Sequence, residues 1–156
     1  MMRRLAESDS RTVYAAEPIA RSTAAWPCPP TPFVCLIWDH DGRCTEPERD
    51  RLIDQLLDAE CRYLVCGGER CEEWHDTADE AFVIRNLDDL DDALDHRMLM
   101  TTWHEGEDRD EVVFFFLYTT AIDECIPKRF LVVHVGEGDR VGLERSVKAV
   151  FLGENS

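Results

Sequence analysis

Phe33-Val34-Cys35-Leu36-Ile37-Trp38 is an unbroken apolar run that stops at Asp39. A strand with one wet face would alternate, so such a run belongs to a strand covered on both faces, as in a parallel sheet between helices. The following segments agree. Thr45-Glu46-Pro47-Glu48 offers an N-cap, a first-turn proline and a first-turn acid, and Leu52, Ile53, Leu56 and Leu57 follow at helical spacing, predicting an amphipathic helix over 46–60. Arg62 to Cys66 predicts a second strand closed by Gly67-Gly68. Cys71 to Ala81 predicts a second helix, with Phe82-Val83-Ile84 as a short strand. Leu87, Leu90 and Leu94 predict a short acidic helix over 87–95. Met98 to Trp103 and Phe130 to Val135 read as strands, and Arg140 to Leu152 as an amphipathic helix. Val112 to Ile122 could be either, but its length and the acids at 108–111 favour a buried helix. Strands alternating with helices predict right-handed crossovers and a single three-layer α/β domain. Its sheet would be mostly parallel, with about four or five strands, in the Rossmann or flavodoxin-like manner.

Residues 1–32 differ in composition from the rest. They hold four arginines against three acids and end in Trp26-Pro27-Cys28-Pro29-Pro30-Thr31-Pro32, which can enter neither a helix nor a central strand. This zone is expected to be a flexible or surface-draped arm on an acidic α/β domain at 33–156. The whole chain carries a formal charge of -16, a field that repels phosphate backbones and anionic lipid. Direct nucleic-acid binding and a membrane role are therefore not expected, while a protein partner with a basic surface is. Arg11, Glu17 and Arg21 interrupt any signal-peptide core, so a cytoplasmic location is expected.

Seven cysteines make an odd set for a disulfide framework, and several lie in apolar segments, so they read as reduced, buried thiols. Cys61, Cys66, Cys71 and His75 are zinc-ligand types with unsuitable spacing. A strand carries five residues over about 16 Å, whereas two ligands of one zinc lie within about 4 Å of each other.

In open parallel sheets ligands bind beyond the carboxyl ends of the strands, and polar residues gather where these strands exit. The candidates are Asp39, His40 and Asp41 after the first strand, Glu69 after the second with His75, Asp76 and Asp79 on the next helix, and His104 and Glu105 after the Met98 strand. Gly136-Glu137-Gly138-Asp139 follows the last strand. His75 and Asp79 share a helix face at i and i+4. With His104 they form the candidate set for a divalent metal, whose bound water would serve a hydrolase together with Asp39 and Asp41. No motif for an organic cofactor is present. Gly67-Gly68 is read as a tight turn needing positive φ. Cys66 or Cys71 beside His75 is a weaker nucleophile pair, and Trp38, Trp74 and Trp103 read mainly as core packing at strand ends.

Two resemblances follow from these residues. Asp39-His40-Asp41-Gly42 after an apolar strand resembles the first motif of haloacid-dehalogenase-like phosphatases, which would make Asp39 a nucleophile and Asp41 an acid/base. The position after the glycine, Arg43, and the second strand's end, Cys66-Gly67, depart from that family. The stretches Cys61 to Gly68, Cys71 to Asp76 with Asp79-Glu80, and Met100 to Glu105 resemble a family of small uncharacterised bacterial proteins. That resemblance implies an α/β domain and no assigned activity.

The expected role is a non-catalytic interaction or regulatory module of a bacterial multi-protein system, of the defence or toxin-neutralising kind. The alternatives are the metal-dependent hydrolase and a small-ligand sensor at the same edge.

Overall fold

The apolar runs become the inner strands of one sheet. The computed structural model describes residues 2–17, 28–88, 91 and 98–153. In chain order these form Arg3–Glu7 (β1), Thr12–Ala16 (β2), Phe33–Asp39 (β3), Glu46–Asp58 (α1), Cys61–Gly68 (β4), Cys71–Arg85 (α2), Met100–Trp103 (β5), Arg109–Phe114 (α3), Arg129–Val135 (β6) and Arg140–Leu152 (α4). Helix α3 runs directly into a wider π-helical turn, Phe115–Thr119. The sheet order is β1-β2-β6-β3-β4-β5. All neighbours are parallel except β1 and β2, which form an antiparallel hairpin.

Side-chain alternation along β3 feeds two separate cores, which confirms the three layers. Val34 and Leu36 pack with Val112, Phe116, Leu143 and Val147 under α3 and α4. Phe33, Cys35 and Ile37 pack with Leu52, Ile53, Leu56 and Trp74 under α1 and α2. Helix α1 starts at a full capping box. The Thr45 hydroxyl accepts from the Glu48 amide, and the Glu48 carboxylate accepts from the Thr45 amide at 3.0 Å. All seven cysteines are free thiols.

Three sequence expectations change. Residues 1–32 are not simply an arm, because β1 and β2 belong to the sheet and Val13 and Ala15 are completely buried in its core. Among the described residues the sheet therefore has six strands, not four or five. Phe82-Val83-Ile84 continues α2 rather than forming a strand. Arg85 bonds Asp58 on α1 at 2.8 Å, and the Asn86 side-chain amide donates to the Phe82 carbonyl, so tertiary contacts override the β-branched propensity. Phe114-Phe115-Phe116 is helical as expected, with Phe114 exposed and Phe116 buried, as a helix rather than a strand disperses neighbours. The helix expected over 87–95 lies largely outside the described residues.

Candidate functional site at the carboxyl rim of the sheet

From β3 the chain moves outward to β4 and then β5, and β6 then enters on the opposite side of β3. The topological switch point, where open α/β sheets open a crevice, therefore lies between the ends of β3 and β6. The loops after these strands are clasped together. The His40 amide donates to the Val135 carbonyl (2.8 Å), and the Asp41 carboxylate accepts from the amides of Glu137 (2.9 Å) and Arg43 (3.0 Å). Those amide bonds hold the Asp41 carboxyl below its ordinary range. The fit leaves no room for side chains at Gly136 and Gly138, where a Cβ would run into Asp41 and His40.

Asp39 is fully buried, and neighbouring donors occupy both of its oxygens. Oδ1 accepts from the Gly42 amide (2.8 Å), and Oδ2 accepts from the indole N–H of Trp74 (2.9 Å) on α2. Gly68, at φ +79°, passes so close that a Cβ there would strike the Asp39 carbonyl. At Gly67 a Cβ would meet the Trp38 ring. The glycine pair is thus required by one positive φ and one close approach. Asp39 fastens the rim and is not exposed as a nucleophile would be.

Beside it runs a chain of hydrogen bonds that links the loop after β3 to β6, α4 and β1. His40 Nε2 lies 3.0 Å from His134 Nδ1, and His134 Nε2 lies 2.8 Å from Glu144 on α4. Glu144 also takes both guanidinium ends of Arg3 on β1. A carboxylate only accepts, so the His134 proton sits on Nε2, and Nδ1 accepts from His40. Burial, followed by neighbouring positive charge, lowers the pKa of His40 below its ordinary value. Burial also lowers that of His134, although Glu144 works against it.

The remaining candidates sit at the far end of the rim and divide between the two faces. His75 stands over Trp103 with ring centroids 4.4 Å apart, and its nitrogens meet Asp76 (3.1 Å) and Asp79 (3.3 Å). Asp79 also accepts from the Thr101 hydroxyl (2.5 Å). His104 packs on Phe115 in the other layer, with Glu107 (2.9 Å) on one nitrogen and Thr102 (3.0 Å) on the other. The structure therefore brings His75 and Asp79 together but not His104. Among the described residues no group of three or more His, Cys, Asp or Glu is placed to hold a metal ion. Burial pushes the Cys66 thiol well above its usual value and raises that of Cys71 as well, so neither supplies a thiolate beside His75.

Two cavities of opposite character flank the rim. At the ends of β4 and β5, about 490 Å³ is lined by Glu69, Glu72, Glu73, Asp76 and Glu105, with Arg70 among them. Arg70 is paired with Glu73 at 3.1 Å. At the switch point, about 250 Å³ lies between α1 and the end of β6, lined by Arg43, Arg51 and Arg140 with Asp41 and Glu48. Sequence reading found Asp39, His40, Asp41 and the acidic residues. It missed His134, Glu144 and the three arginines, whose only signal was a histidine inside the apolar run 130–135 and arginines at two strand exits.

A family model described as a domain of unknown function (DUF7684) matches residues 12–151. The chain belongs to that family. The matched region starts at β2, so the family domain includes the second strand of the N-terminal hairpin. No curated protein and no solved structure matches the chain. No helix among the described residues is long and apolar enough to cross a membrane.

Proposed function

We propose that the chain is a non-catalytic regulatory module of the cytoplasm that docks on a basic surface of another protein, within a bacterial multi-protein system of the defence or toxin-neutralising kind. The acidic crevice at the ends of β4 and β5 carries this reading. Its five carboxylates are arranged around a cavity that a lysine or arginine side chain can enter, and charge-assisted bonds would hold that side chain there.

The surrounding layer has the same sign. Helix α1 has five acids against two arginines, and α2 has five acids against one. Such a face speeds encounter with a basic partner and competes with nucleic acid for that partner's surface. The rim groups support a binding role over turnover, because Asp39, Asp41, His104 and His134 already hold their own loops and helices together.

The test combines Glu72→Gln, Asp76→Asn and Glu105→Gln, all on exposed side chains. Copurification from the native host and titration with an arginine-rich peptide should both succeed at low salt and fail at high salt. The triple variant should bind the peptide roughly tenfold more weakly. Recovery of the wild type alone in every condition, with no peptide binding, would refute the proposal.

A further inference from the structure

The second cavity has the opposite chemistry, and the geometry points to a site for a small oxyanion, a phosphomonoester or a carboxylate, at the β3/β6 switch point. This goes beyond docking and does not depend on it.

Three guanidinium groups, Arg43, Arg51 and Arg140, line this cavity in a chain whose net charge is -16. The two carboxylates that share the lining are each engaged at a turn, Asp41 by backbone amides and Glu48 by Thr45. Asp41 accepts from the amides of Arg43 and Glu137, and Glu48 accepts from the amide and hydroxyl of Thr45 at the α1 cap. Arg140 is held in place by donating to the Gly136 carbonyl (2.7 Å) and pairing with Glu17 (2.6 Å). Among the described residues its Nε is buried without a hydrogen-bond partner. The Arg43 guanidinium makes no hydrogen bond among the described residues, so it can turn toward a guest. Guanidinium forks match the paired oxygens of carboxylate and phosphate.

Leu52 and Val135 supply an apolar wall for the body of the ligand. At about 250 Å³ the space lies just under the roughly 300 Å³ at which pockets for drug-sized ligands begin, which favours a compact molecule over a dinucleotide. The position agrees with the sheet, since the crevice opens where the strand order reverses.

Titration calorimetry on the whole chain, at matched ionic strength, would use inorganic phosphate, glycerol 3-phosphate and succinate as probes. Saturable one-site binding is expected for at least one of them, and the choice between the phosphates and succinate identifies the oxyanion. Arg43→Gln with Arg51→Gln should weaken that binding by about tenfold or more, while Arg4→Gln on β1 should leave it unchanged. Should the double variant melt early, Arg43→Gln alone, on an exposed side chain, should still lose severalfold. Absence of saturation by all three probes, or equal binding by wild type and the Arg43 variants, overturns the proposal.

Discussion

Asp39 shows how one buried carboxylate can organise a rim. It gathers donors from its own loop and from Trp74 on the neighbouring helix, and no solvent reaches it. Asp39→Ala would leave those donors buried without acceptors, at a cost of about 3 kcal/mol. Urea unfolding would read this as a lower midpoint, and an unchanged midpoint would remove the fastening role. The histidine pair gives a second prediction. Both pKa values fall below the ordinary 6.5 on folding, so the unfolded chain binds protons first. Their contribution to stability is complete above about pH 6.5 and is lost as pH falls toward the lowered values. Glu144 acts the same way at lower pH. Burial opposes its charge, but the hydrogen bonds from Arg3 and His134 win and hold it below 4.5. Melting temperature should therefore drop in two stages on acidification, and His40→Gln should blunt the first. Asp39 and His40 were legible because they end an apolar run. His134 was not, since it sits inside one and reads as strand interior.

The N-terminal hairpin is the element that most alters the picture. Thr12–Ala16 is only five residues long and lies in a zone that ends in prolines, so its strand formers Thr12, Val13 and Tyr14 were outweighed by the composition around them. Its place beside β6 follows from burial of Val13 and Ala15 and from the tie between Arg3 and Glu144. A chain starting at Phe33 should lose the β6 neighbour and fail to unfold cooperatively in a circular-dichroism melt. A melt matching that of the full chain would show the hairpin to be an appendage. By contrast, Phe33–Trp38, the Thr45 cap and the 140–152 helix were readable in full, because each combines a local pattern with a local terminator. The extension of α2 over 82–84 was not readable, because it depends on contacts with α1.

At the scale of the molecule, strand order decides what the rim can do. Sequence placed polar residues at the strand ends, but neighbouring parallel strands can be permuted, and only the order 6-3-4-5 separates the arginine cavity from the acidic crevice. The charge of -16 should also repel itself in the compact state. Added salt screens that repulsion, so melting temperature should rise between low and physiological ionic strength, and a fall would mean that ion pairs dominate. Trp103, 43% exposed and leaning on His75, stands next to the crevice, while Trp74 is sealed inside. The molecule thus carries its own optical reporter. Whatever settles over the carboxylates will change the emission of Trp103 against the steady background of the other three indoles, so occupancy can be followed without a label.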